Sequence, residues 1–318
     1  MTHRVFVTKP IPHPGIELLR RHAEVTIGPE GGSLTSTQLR GKVAGVSAIL
    51  CFVAEPIDES VLSAAAPTCK VVASYGVGTD NIDLAAARRL GIQVTNTPDV
   101  LTSATADLAF TLLLGVSRRV TEAARFARSG RWPGIEPLQI FGNDVSGKVL
   151  GVVGAGRIGS AVARRAAGFD MELLYTDRQA NAELDAGGGA RLPLGELLAR
   201  ADFVSLHVPL TEETHHLISR AELQTMKPEA CLINTSRGAV VDERALLDAL
   251  RNGDIGGAGL DVYENEPHIP TNLLEMPNTL CLPHIGSATV ETREKMALVA
   301  ARNVIACLEG RRPPNPVL

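Results

Sequence analysis

The 318-residue chain predicts an α/β protein built from two doubly wound parallel-sheet domains. Three observations predict it. Short runs rich in Val and Ile alternate with longer segments of helical period, which is the pattern of βαβ units around a parallel sheet. The length exceeds what one hydrophobic core usually holds. Near the middle, a G-x-G-x-x-G run stands between a buried strand and a helix start.

In chain order, Val5 to Thr8, Ala48 to Phe52, Val71 to Ser74 and Gln93 to Thr95 read as strands, with Gly15 to Arg21 and Glu59 to Ala65 as helices between them. From Val100 to Ser117 runs a segment apolar nearly all round, which predicts a buried helix. The Gly/Pro-punctuated stretch from Ser129 to Pro137 is a loop. A second series then opens, with strands at Val149 to Val153, Glu172 to Thr176, Phe203 to Leu206, Cys231 to Asn234, Gly257 to Leu260 and Thr279 to Leu282, a six-stranded set. Ala288 to Leu308 reads as a helix, and Arg311 to Pro316 as extended coil.

Composition narrows the function classes. A net charge of -4 with 45% apolar and 21% charged residues gives no field that would gather nucleic acid or an anionic membrane. The five cysteines are widely spaced and include no C-x-x-C pair, so they read as reduced core residues. With no signal-like N-terminus and no 18-residue uncharged apolar stretch, the expectation is a cytoplasmic chain without a membrane span. No His/Cys/Asp cluster has metal-ligand spacing, so no metal is expected. His215 and His216, beside Glu212 and Glu213, read as a solvated turn.

In Gly154-Ala-Gly156-Arg-Ile-Gly159, Gly154 allows the tight turn, Gly156 the close approach of a pyrophosphate, and Gly159 close helix–strand packing. The helix start offers free N–H groups to the phosphates. Asp177, 18 residues past Gly159, ends the next strand near the spacing of a ribose-binding acid. A dinucleotide is therefore expected, with NAD(H) preferred. Arg178 leaves NADP(H) open, because an arginine there can receive a 2′-phosphate.

Three further segments stand at strand ends. Arg237 can clamp a carboxylate bidentately and polarise a keto oxygen. His284 can deliver a proton to that oxygen, and Glu266 can orient the imidazole and favour its charged form. Singly each has a bland reading, as a surface charge, a loop acid and a core histidine.

Together with Gly154-Ala-Gly-Arg-Ile-Gly159, the segments Asn234-Thr-Ser-Arg-Gly238, Val241-Asp-Glu243, Asp261-Val-Tyr-Glu-Asn-Glu-Pro267 and Pro283-His-Ile-Gly-Ser-Ala-Thr289 resemble the D-isomer-specific 2-hydroxyacid dehydrogenases over nearly the whole chain. Ala73 to Asp83 and His207 to Leu217 are most similar to the glyoxylate/hydroxypyruvate reductases of that family. The resemblance implies a Rossmann-like and a flavodoxin-like domain with an interdomain active-site cleft. Residues 1–99 and 286–318 would bind substrate, and 100–285 the dinucleotide. It implies catalysis by Arg237, Glu266 and His284, with backbone N–H groups of Val77 and Gly78 on the substrate carboxylate. Arg157 and Ile158 would meet the pyrophosphate, Val208, Pro209 and Thr214 the adenosine side, Thr235 and Asp261 the nicotinamide, and Thr105 would lie near the cofactor.

The implied reaction is reversible NAD(P)H-dependent reduction of a small 2-keto acid to a D-2-hydroxy acid, by a homodimer pairing around Trp132 to Asp144. Family members specialised for glyoxylate and hydroxypyruvate carry a tryptophan in the loop before Gly142, where this chain has Gln139. Two alternatives stay open: a nucleotide-sensing, corepressor-like binding protein, and a family dehydrogenase acting on phosphite or formate.

Overall fold

The computed structural model describes residues 3–318, in two compact units. One comprises residues 3–101 and Ser287–Leu318, the other Thr102–Gly286.

The first unit runs β1 (Arg4–Val7), α1 (His13–Arg20), β2 (Glu24–Ile27), α2 (Ser36–Val43), β3 (Ala48–Cys51), α3 (Glu59–Ala65), β4 (Val71–Ser74), α4 (Leu84–Arg89) and β5 (Gln93–Thr95). The sheet order is β2-β1-β3-β4-β5, all parallel, a flavodoxin-type order. β3 and β4 are buried at every residue, as central strands covered on both faces must be. β2, which the Val/Ile pattern did not predict, is an edge strand with Glu24 exposed and no buried residue. The residues read as terminal coil also pair, since Pro316 bridges Thr95 antiparallel.

The second unit begins with α5 (Thr102–Ser117) and α6 (Val120–Arg128). It continues through β6 (Val149–Val153), α7 (Arg157–Ala166), β7 (Glu172–Thr176), α8 (Ala182–Ala186), β8 (Ala190–Arg191), α9 (Leu194–Arg200), β9 (Phe203–Leu206) and α10 (Arg220–Thr225). It ends with β10 (Cys231–Asn234), α11 (Glu243–Asn252), β11 (Gly257–Leu260), α12 (Thr271–Glu275) and β12 (Thr279–Cys281); the last helix, α13 (Val290–Leu308), returns to the first unit. The parallel sheet is ordered β12-β11-β10-β9-β6-β7-β8. That is a Rossmann order with an added strand, and the reversal between β6 and β9 is its switch point. It holds seven strands rather than six. β8 is a two-residue exposed edge after Gly187 to Gly189, too short and polar to leave an apolar signature.

Candidate active site

The glycine run after β6 has the geometry its spacing predicts. Gly154 has φ +93°, and a side chain there would meet the His207 carbonyl at 2.8 Å. A Cβ at Gly159 would overlap the Gly154 carbonyl oxygen, whereas one at Gly156 would meet nothing within 4 Å. The first and third glycines are thus packing requirements, and the second leaves open space before the start of α7, as pyrophosphate approach needs. Asn181 braces the loop, its Nδ2 donating to Ala155 O at 2.8 Å and Ser160 Oγ at 2.9 Å. Arg157 is exposed and Ile158 half-buried at the helix start.

Asp177 follows β7 and reaches back to this loop, accepting the Ala155 N–H at 2.7 Å. Arg191 donates to the carbonyls of Asp177 and Arg178, both at 2.9 Å, which fixes the turn that carries the acid. After β9, the Thr214 hydroxyl donates to Pro209 O at 2.6 Å and accepts the Thr211 N–H at 2.8 Å. Thr214 therefore folds the loop that presents Val208 and Pro209. His207 sits at the head of that loop with Nε2 2.8 Å from Ser205 Oγ, and burial pushes its imidazole down to about 3.

His284 and Glu266 are in contact: Nδ1 of the imidazole lies 2.7 Å from Glu266 Oε2. The side chains keep 35% and 30% of their surface, so a substrate can reach them. Glu266 Oε1 accepts the Tyr263 N–H at 3.1 Å. With Nδ1 facing the carboxylate, Nε2 is the nitrogen left for a reacting oxygen. His284 adopts φ +54°, an uncommon conformation for a side-chain-bearing residue. Buried Asp261 holds the turn: its two oxygens accept the N–H groups of Ile285 and Gly286 at 2.8 and 2.7 Å. Desolvation by burial raises its carboxyl despite those bonds. Thr105, buried on α5, packs beside Gly286.

Arg237 leaves the end of β10 on a turn caged by buried Asn234, whose Nδ2 donates to Arg237 O at 2.9 Å and whose Oδ1 accepts the Ser236 N–H at 3.0 Å. Gly238 allows the close approach that follows, for a Cβ there would overlap the Tyr263 carbonyl carbon. The Arg237 loop thus lies directly against the loop that carries Glu266. Thr235 Oγ1 is buried with no hydrogen-bond partner, which suits a polar ligand group at this strand end.

In the first unit, the Val77 and Gly78 carbonyls are taken by Asn96 Nδ2 at 2.8 Å and Ser74 Oγ at 3.0 Å. Val77 is exposed and Gly78 half-buried.

Glu212, Glu213 and His215 lie exposed in a turn, as expected. His216, in the same turn and half-buried, also bonds Glu264 Oε1 through Nε2 at 2.9 Å, with its N–H donating to Ala239 O and Ile218 pairing with Val241. Asn181, Asn234 and Tyr263 escaped the sequence reading. Asn234 and Tyr263 lie inside the motifs, and their positions beside Arg237 and Glu266 were the available signal. Among the described residues, no group of three or more His, Cys, Asp or Glu side chains could hold a metal ion.

A doubly wound sheet with a dinucleotide turn at its switch point and an arginine, a glutamate and a histidine at its strand ends defines a nucleotide-dependent oxidoreductase. Residues 110–286 match the sequence model of "D-isomer specific 2-hydroxyacid dehydrogenase, NAD binding domain". The glyoxylate reductase of Thermococcus gammatolerans is 50% identical, over 100% of this chain and 96% of that protein. The crystal structure of the TT0316 protein from Thermus thermophilus matches with TM-score 0.93 and 48% identity, covering 99% and 100% of the two chains. An NADPH-dependent glyoxylate/hydroxypyruvate reductase from Sinorhizobium meliloti, solved with NADP and malonate, matches with TM-score 0.90 and 35% identity over 100% and 97%. The chain belongs to the D-isomer-specific 2-hydroxyacid dehydrogenase family and is an oxidoreductase with that family's NAD-binding domain.

Proposed function

We propose that this chain catalyses the reversible reduction of glyoxylate, hydroxypyruvate or a related small 2-keto acid to the D-2-hydroxy acid. The observation that carries the reading is the 2.7 Å contact of His284 with Glu266 beside the Arg237 loop, on a sheet whose switch point carries the dinucleotide turn. When bound, the reduced nicotinamide supplies the hydride. Arg237 pairs with the substrate carboxylate and polarises the keto oxygen. His284 gives that oxygen its proton from Nε2, and Glu266 stabilises the charged ring. The family resemblance assigns the N–H groups of Val77 and Gly78 to the substrate carboxylate as well, and they are part of the same proposal.

The dinucleotide fits the residues present. Open space at Gly156 receives the pyrophosphate beside Arg157 and Ile158, while Val208, Pro209 and Thr214 border the adenosine. Asp261, Thr105 and the orphaned Thr235 hydroxyl serve the nicotinamide side. NADH is favoured because the Asp177 carboxylate, anchored at the loop by Ala155, accepts from a ribose 2′-OH and repels a 2′-phosphate; NADPH remains usable. The corepressor-like, phosphite and formate readings are set aside, since relatives across the full length carry glyoxylate reductase activity by name.

Homodimerisation is part of the proposal, supported by the exposed apolar side chains of Val120, Trp132, Ile135, Leu138 and Phe141, more than a solitary surface usually offers. A cytoplasmic location is supported by five free cysteines, and no described helix is long and apolar enough to cross a membrane. The test is NADH oxidation against a panel of 2-keto acids, with chiral analysis of the product. Turnover of glyoxylate and hydroxypyruvate, with D-glycerate from the latter, is expected; no turnover across the panel would overturn the proposal.

A further inference from the structure

The loops that carry Arg237 and Glu266 are joined by two glutamates that the reaction itself leaves unused. Glu243 opens α11, so its N–H is among those that a helix start leaves without an intrahelical acceptor. The N-cap Asp242 serves Ala245 at 2.9 Å. The Glu243 N–H instead crosses to Glu264 Oε1 at 3.0 Å. Glu243 Oε1 returns the bond by accepting the Glu264 N–H at 2.9 Å. The same Glu264 oxygen faces His216 Nε2 at 2.9 Å, and His216 is itself tied to the Arg237 loop through Ala239 O at 2.8 Å.

We propose that Glu264 is a positioning residue, whose reciprocal clasp with Glu243, anchored by His216, sets the spacing between Arg237 and the Glu266–His284 pair. This rests on the catalytic reading above. A simple helix cap would be local and one-directional, whereas these bonds run both ways between two loops. Glu243 lies six residues beyond Arg237 and Glu264 two before Glu266. A substrate held by Arg237 while receiving a proton from His284 spans that spacing, and a displacement of about 1 Å there is costly. Both glutamates act here as acceptors, so a glutamine oxygen can replace either one and an alanine cannot.

The test compares Glu264→Ala, Glu264→Gln and Glu243→Ala in NADH-dependent hydroxypyruvate reduction, with NADH affinity by fluorescence and amide hydrogen exchange at Glu243. Glu264→Ala is expected to lower kcat/KM about 10- to 100-fold, raising KM for the keto acid as well as lowering kcat, with NADH affinity kept. A mere loss of folded protein would lower kcat alone. Glu264→Gln should restore most of the activity. Combining Glu264→Ala with Glu243→Ala should add little, because both break one clasp. Glu264→Ala with wild-type KM and kcat, or Glu264→Gln as impaired as the alanine variant, would overturn the proposal. If the wild-type chain reduces no keto acid, the functional reading falls instead. The clasp is then judged by exchange: lost protection of the Glu243 amide in Glu264→Ala supports it, and unchanged protection overturns it.

Discussion

Acidification should destabilise the nucleotide-binding unit through His207. The ring stands where β9 meets the loop against Gly154, and burial pushes it down to about 3, whereas an unfolded histidine titrates near 6.5. Between about pH 6.5 and 3 the unfolded chain therefore binds a proton that the native chain refuses. Stability is fully present above that window and is lost as pH falls through it. At about 1.4 kcal/mol per pH unit, the loss at pH 5 is roughly 2 kcal/mol, an upper bound because the residue as a whole is only half-buried. His207→Gln removes the titrating group and keeps a polar atom for Ser205. Urea unfolding at pH 7, 6 and 5 should then show wild type losing stability faster than the glutamine variant, by about 1 to 2 kcal/mol over the range. Parallel slopes for the two proteins would refute the argument.

Asp177→Asn keeps an acceptor for the Ala155 N–H but removes the charge that opposes a 2′-phosphate. The NADH:NADPH ratio of kcat/KM should fall about tenfold, measured with both coenzymes; an unchanged ratio would show that Asp177 does not select the coenzyme. Arg237→Lys preserves charge but loses the planar fork, so kcat/KM for hydroxypyruvate should drop about 10- to 100-fold. Near wild-type turnover in the lysine variant would remove Arg237 from the role of clamp.

What the sequence made legible follows from what each element buries. β3, β4, β9 and β10 are buried at every position and announce themselves as apolar runs. β2 and β8 lie at sheet edges with charged, exposed residues, and their pairing partners dictate them more than their side chains do. The chemical groups at Arg237, Glu266 and His284 could be named because each chemistry needs a particular residue type. The frame around them could not. The reciprocal bonds of Glu243 and Glu264 join residues 21 apart, and the bond of Tyr263 OH to Leu282 O joins β11's end to the His284 turn. Such contacts depend on which strand ends lie side by side, which is a property of topology and not of local pattern. The bond of His216 to Glu264 is hidden in the sequence for the same reason, because a histidine among glutamates shows its partner only when its neighbours in space are known.

The account rests on His284 delivering the proton, and His284→Asn tests it most directly. Asparagine tolerates the φ of +54° and keeps a donor toward Glu266, but carries no proton at the Nε2 position. With NADH affinity confirmed by fluorescence titration, kcat for hydroxypyruvate reduction should fall on the order of 10² to 10⁴. A folded His284→Asn protein that binds NADH and keeps kcat within about tenfold of wild type would contradict it.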